Sequence, residues 1–186
     1  LIEIGIFPHA TYTVSASLYQ AIAELGRQRG MKIATHLAES KEESVYIRSG
    51  SGVLALDLRE KVGWDYLSHE PFGVTPIKYL QQWNVFSSDF MAVHCVYAGP
   101  ADIEALARYD VAIAHCPKSN AKLGCGIAPL PAFLRAGIRV GFGTDSPASS
   151  NIMDMFGEMR TAIFLHRGSE RDVNVLSAAE CVRMAT

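Results

Sequence analysis

Charge imbalance is the first thing this sequence lacks: 17 Lys and Arg stand against 19 Asp and Glu over 186 residues, and neither sign gathers into a run. That excludes a basic stripe for nucleic acid and a polybasic anchor for a membrane surface. Long apolar runs are missing too, none approaching the roughly 20 residues that a membrane span requires. Cysteine is sparse. The four thiols (Cys95, Cys116, Cys125, Cys181) show no C-x-x-C spacing, which argues against a disulfide framework or a thiol metal knot and for reduced, buried thiols of a cytoplasmic protein. Low-complexity and linker compositions are also absent, so no domain boundary is placed. What is present is 49% hydrophobic residues, enough to build one sizeable core. The partner this leaves is a small molecule.

Along the chain, apolar strand-like runs alternate with amphipathic stretches. "IEIGIF" (2–7) precedes a helix with Ser15 as N-cap and with Leu18, Ile22 and Leu25 on one face. "MKIATH" (31–36) is followed by the polar helix start "ESKEESVYIRSG", and then by a stretch to about residue 75, with several Gly and Ser and one Trp, that yields no clear pattern. Thr75-Pro76 opens a helix over "IKYLQQW". "FMAVHCV" (90–96), the helix "PADIEALARY", "DVAIAH" (110–115), the helix "LPAFLRAG" and "IRVGFGTD" (138–145) come next. Ile152, Met155, Phe156, Met159 and Ile163 mark an amphipathic helix, and a last helix starts at Ser177. Strands apolar on both faces that alternate with helices predict an α/β fold with a parallel sheet, doubly wound or closed as a barrel.

The polar residues fall at the strand ends: His9, His36, His94, His115 and Asp145 each close an apolar run. In a parallel sheet all C-terminal ends lie on one side, so the five are expected to meet on one rim, where barrel enzymes keep their chemistry. His69 and His166 read as structural, His166 through its place near a helix C-terminus. Imidazoles and a carboxylate are a ligand set for Zn²⁺ or a similar divalent ion with an open position for water. The metal brings that water towards neutral pKa, and Glu39, three residues after His36, could move protons over the same rim. A rival reading makes Cys95 or Cys116 a nucleophile paired with the adjacent His, but neighbours on a strand point to opposite faces.

"HLAES", "VHCVYAG", "AHCPKSNAKLGCGIAPL" and "GTDSPASSNIMDMFGEMRTAI", in this order, resemble the amidohydrolase superfamily. Within it they resemble the branch of methylthioadenosine/S-adenosylhomocysteine deaminases, aminodeoxyfutalosine deaminases and triazine hydrolases. The resemblance covers nearly the whole chain and implies the C-terminal part, about strands four to eight, of a metal-dependent (β/α)8 TIM barrel. It implies His36 and Asp145 as metal ligands, with Asp145 also taking a proton from the attacking water. Glu39 would protonate a ring nitrogen and then the leaving ammonia, His94 would bond the water or the substrate, and His9 would touch substrate. Asn120 and Ser146 stay outside the catalytic set. The implied activity is hydrolytic deamination of an aminated heterocycle, an adenosine-type nucleoside first, by attack of metal-bound hydroxide. The cofactor would be one divalent ion, zinc or else iron, and homo-oligomers are common in the branch.

Departures from the family pattern shape further expectations. Family members carry an N-terminal β-sandwich and an H-x-H on the first barrel strand, and this chain contains no H-x-H. Residues 1–186 are accordingly expected to be a single partial barrel domain, with the sandwich and first strands absent and the piece by itself inactive. Ser146 after Asp145 resembles the aminodeoxyfutalosine and triazine enzymes, whereas "NAKLGCGIAPL" is closer to the methylthioadenosine type. Triazine dechlorination or deamination is therefore the alternative chemistry, and a truncated binding module the alternative class. Residues of about 50–75 could form a lid.

Overall fold

The computed structural model describes residues 3–63 and 71–186. Its strands β1 (Ile33–Leu37), β2 (Phe90–His94), β3 (Ala112–His115) and β4 (Val140–Phe142) pair in parallel, in the order of the sequence. The register runs Ala34↔Met91↔Ala112 and His36↔Val93↔Ala114. Parallel neighbours in unbroken chain order form the arc of a (β/α)8 barrel, because a doubly wound sheet reverses its order at a switch point.

Ahead of β1 the arc continues through two bridges, Ile6 with Ile33 and Ala10 with His36. A regular strand over 2–7 was the expectation; residue 2 lies outside the described residues, and over 3–7 the structure corrects it. Pro8 has no N–H to give the ladder, so pairing lapses between the bridges. Gly5 is fixed by contact: a Cβ there would lie 2.9 Å from the Lys32 carbonyl oxygen.

Helices α1 (Ala16–Arg29), α2 (Lys41–Ser49), α3 (Val53–Val62), α4 (Pro76–Gln82), α5 (Pro100–Arg108), α6 (Pro117–Lys122) and α7 (Leu130–Arg135) fill most of the connections. Beyond β4 come α8 (Pro147–Ser150), α9 (Met155–Glu170) and α10 (Ala178–Ala185). Ser15, Ser40, Thr75 and Ser177 each accept a backbone N–H as N-cap, a contact worth about 1 kcal/mol. Helix α3 occupies part of the stretch expected as a lid. Residues 64–70 of that stretch, His69 included, lie outside the described residues.

Strand alternation divides the sheet into two faces. Ile33, Thr35, Leu37, Phe90, Ala92 and Ile113 are buried and pack with Tyr19, Ile77, Leu80, Leu106 and Phe133 of the helix layer, each large apolar side chain contributing about 1.5–3 kcal/mol by burial. Ala34, Met91 and Ala112 lie in one register row and line, with Phe7, a hollow of about 480 Å³ on the concave side. Met91 and Phe7 are exposed there.

Two helical faces differ from expectation. In α1 the buried stripe is Tyr19, Ala23 and Gly26, while Leu18 and Leu25 are exposed. Gly26 allows the close approach, since a Cβ there would come 2.7 Å from Ile33 Cδ1, and the Tyr19 hydroxyl lies 2.8 Å from Thr35 Oγ1. In α9 the buried stripe is Glu158, Ala162 and His166. Met159 and Ile163 pack at its flank, whereas Phe156 is 75% exposed.

Candidate active site

Alternation also decides which strand ends can meet. His36 lies one pleat beyond Ala34 and so stays on the concave side of β1. His94 is paired with Leu37, a helix-facing residue, and regular alternation would carry it to the helix layer. Its backbone prevents that. His94 has φ +73° and Cys95 +49°, outside the extended region, and the His94 ring stacks on His36 with centroids 5.4 Å apart and planes 22° apart. Asp145, past β4, has φ +54°, and Ala38, past β1, has φ +50°. Such non-glycine conformations cost on the order of 1–3 kcal/mol each and gather at functional sites.

His115 follows the alternation that His94 breaks. It is buried, and its Nε2 lies 3.0 Å from His166 Nε2. The expected rim of five is therefore corrected to four strand ends, because parity sends the fifth imidazole into the helix layer. Burial lowers the pKa of His115 to about 3, helped by the neighbouring His166 and His94 imidazoles, and that of His166 to about 4. Both are neutral at physiological pH, so His166 is structural through this buried pairing and carries no charge for a helix terminus.

The four remaining ends are tightly connected. The His9 carbonyl accepts the His36 Nδ1–H at 2.8 Å, which leaves the His36 Nε2 lone pair free. The His9 ring lies 5.3 Å from that of His36 and edge-on to Tyr12 at 5.9 Å. The His94 Nδ1–H donates to Asn120 Oδ1 at 2.9 Å, and among the described residues His94 Nε2 has no hydrogen-bond partner while it faces Glu39 Oε1 at 3.6 Å. Burial lowers the His94 pKa, against the opposing pull of Glu39; burial and then His36 lower that of His9. Asp145 Oδ2 accepts the hydroxyls of Ser119 and Ser149, each at 2.6 Å. Burial raises its pKa, but these bonds and the Ser146 amide outweigh that and hold the carboxyl below its ordinary value.

Glu39, His36, His9 and His94 are thus brought into one cluster. Asp145 joins it through Ser119, whose neighbour Asn120 holds His94. Ser119, Ser149 and Asn120 were outside the expected set. The signal for Ser119 and Asn120 is position alone, in "KSN" at the start of helix α6 directly after β3, and that for Ser149 its place in α8 just past Asp145. Cys125 was also unforeseen, with Sγ 4.0 Å from Glu39 Oε1. The rival cysteine nucleophiles find no support: burial raises both thiols, Cys116 to about 12 and Cys95 further, and the thiolate is the reactive form.

A divalent ion is a partial match to these donors. His36 offers an oriented imidazole nitrogen, and Asp145 an oxygen not taken up by the serines. Among the described residues, no group of three or more His, Cys, Asp or Glu is gathered to hold a metal. The residues fit two positions of a site that ordinarily takes three or four protein ligands.

The sequence profile of the amidohydrolase family matches residues 1–186. A 5-methylthioadenosine/S-adenosylhomocysteine deaminase of Pelotomaculum thermopropionicum is 40% identical over 179 residues, covering 96% of this chain and 36% of that protein. A 5'-deoxyadenosine deaminase of Methanopyrus kandleri is 33% identical, covering 100% and 38%. Among solved structures, a zinc-bound adenosine deaminase from Xanthomonas campestris superposes with TM-score 0.81 at 31% identity over 98% of this chain and 37% of that one. Zinc-bound atrazine chlorohydrolase from Arthrobacter aurescens superposes with TM-score 0.79 at 28% identity, covering 97% and 35%. The chain spans little more than a third of the length of the relatives it matches.

Proposed function

Since the chain belongs to the amidohydrolase family, we propose that it contributes the proton-transfer half of a metal-dependent hydrolytic deaminase acting on an aminated heterocycle, an adenosine-type nucleoside first. The observation that carries this reading is Glu39 Oε1 lying 3.6 Å from the unpartnered His94 Nε2, beside the free nitrogen of His36. The deaminase names of the relatives support the same chemistry.

In this mechanism His36 and Asp145 hold the ion, zinc by analogy with the bound metal of the similar structures. A divalent ion there supplies Lewis acidity that makes water nucleophilic at neutral pH. The Asp145 carboxylate accepts a proton from the water as the water oxygen bonds to the ring carbon bearing the amino group. His94 Nε2, an acceptor because Asn120 keeps the proton on Nδ1, orients that water. Glu39 gives its proton to the ring nitrogen, takes up the proton of the added hydroxyl as the carbonyl forms and delivers it to the departing nitrogen, and the proton held by Asp145 then returns to Glu39. The C–N bond breaks and ammonia leaves. His9 lines the substrate pocket beside Tyr12.

The remaining ligands and barrel strands would come from polypeptide beyond these residues, a reading supported by the greater length of the relatives and by the uncovered concave face. No helix among the described residues is long and apolar enough to cross a membrane, and we place the enzyme in the cytoplasm on its unpaired cysteines. A triazine substrate is the second reading, favoured by Ser146, which caps α8 directly after Asp145, and by the chlorohydrolase likeness.

The test is ammonia release by the zinc-supplemented intact enzyme from adenosine, 5'-deoxyadenosine, 5-methylthioadenosine and amino- or chloro-triazines. Turnover of the nucleosides, lowered roughly 10²–10⁴-fold by Glu39→Gln, is the expected result. Turnover of triazines alone would transfer the assignment to the second reading, and turnover of none would overturn both.

A further inference from the structure

Glu43 is the third residue of α2, after the N-cap Ser40. A glutamate at that place ordinarily reaches back to the N-cap N–H and keeps its charge in water at the helix start. Half of that arrangement exists, because Ser40 Oγ accepts the Glu43 N–H at 3.1 Å. The carboxylate goes elsewhere. It is fully buried, with 0% exposure. Oε1 accepts the Ala38 N–H at 3.0 Å and Oε2 the Glu39 N–H at 2.8 Å, while the Thr11 hydroxyl donates to Oε1 at 2.6 Å. Three donors converge on an acceptor-only group. Burial outweighs the Thr11 hydroxyl and the two amides, which pull the other way, and leaves the carboxyl raised to about 7.

What the carboxylate holds is the turn that carries Glu39 off the end of β1. Ala38 has φ +50°, a conformation that an L-residue keeps only when its surroundings enforce it. Enforcement comes from both sides. The Leu37 and Ala38 carbonyls accept N–H groups of Cys95 and Tyr97 at 3.0 and 2.9 Å, and Glu43 takes the amides of Ala38 and Glu39. Thr11, the remaining donor, lies two residues beyond His9, whose carbonyl orients His36. One buried carboxylate therefore ties together the segment bearing His9 and the turn bearing Glu39.

We propose that Glu43 is a positioning residue for the reaction: by clamping the Ala38–Glu39 turn against Thr11, it fixes the Glu39 carboxylate where it faces His94. The proposal rests on Glu39 as the proton-transferring group. A helix cap alone would affect stability; a clamp on Glu39 affects the chemical step and the rigidity of the turn.

The test compares Glu43→Gln, Thr11→Val, Glu39→Gln and the Glu43→Gln/Glu39→Gln double variant in the zinc-supplemented intact enzyme, measuring kcat, KM, metal content and amide hydrogen exchange at Ala38 and Glu39. Gln keeps one acceptor oxygen and turns an NH₂ towards a backbone N–H. The expected result is a kcat lower by roughly 10–100-fold, with KM and metal content near the original values and both amides exchanging faster. Thr11→Val moves in the same direction by less and carries the test if Glu43→Gln does not fold. In the Glu39→Gln background the Glu43 change adds little, as coupled groups do. An unchanged kcat, or an equal loss with and without Glu39, would overturn the proposal. If the unmodified enzyme deaminates nothing, the functional reading falls on its own and amide exchange decides the clamp: faster exchange supports it, unchanged exchange overturns it.

Discussion

At the scale of single residues, the site depends on side chains that work through others. Asn120 is the clearest case, since its amide oxygen takes the His94 Nδ1–H and so leaves Nε2 as the acceptor. Asn120→Ala leaves that N–H without its partner in a buried pocket, and a kcat lower by roughly 10–100-fold with metal content retained is expected. Steady-state kinetics with elemental analysis checks this; an unchanged kcat would remove Asn120 from the site. The positions of His9, His36, Glu39, His94 and Asp145 about the candidate site were legible in the sequence, because each stands at the end of an apolar run or just past it, and their roles are those proposed above. Those of Asn120, Ser119 and Glu43 were not. His94 lies 26 positions from Asn120, Asp145 26 from Ser119 and Thr11 32 from Glu43, and a buried Glu43 has the same sequence context as a solvated helix-start glutamate.

At the scale of elements, the helices were legible at their N-termini, where Ser15, Thr75 and Ser177 act locally, and less so on their faces. Apolar spacing selected Leu18 and Leu25 in α1 and Phe156 in α9, but the buried stripes contain Gly26, Glu158 and His166. Close backbone approach and paired polar groups decided those faces, and neither leaves an apolar period. The docking of α9 on β3 through His115 and His166 gives a testable pH dependence. In the folded chain burial keeps the two imidazoles unprotonated down to about 3 and about 4, whereas in the unfolded chain they bind protons near the ordinary 6.5. Between those values the unfolded state holds more protons, so stability rises with pH and is lost as pH falls below about 6.5. Each histidine contributes at most about 1.4 kcal/mol per pH unit. Urea unfolding near neutral pH and at about pH 5 should show the loss, and His166→Gln should flatten the dependence. Equal slopes in both proteins would contradict a buried neutral pair. His9 and His94, lowered in the same direction, add a background common to both.

At the scale of the whole molecule, four parallel strands in chain order were readable from the alternation of strand and helix, and so were the rim positions at the ends of β1, β2 and β4; the turn of His115 into the helix layer was not. The bridged segment before β1 was not, because Pro8 interrupts pairing without erasing the apolar pattern. The concave side, with Phe7 and Met91 exposed, is where further barrel strands would pack. It follows that these 186 residues expressed by themselves should bind zinc weakly and release no ammonia from adenosine derivatives, which zinc titration and an ammonia assay would check; zinc-dependent deamination by this piece would contradict a site needing ligands from elsewhere. The most direct test of the account is metal content by elemental analysis of the intact enzyme and of its His36→Ala and Asp145→Ala variants. About one divalent ion per chain, lost in both variants, is the predicted result. An intact enzyme without metal, or variants that retain it in full, would contradict the assignment of this rim as the metal-holding face of a hydrolase.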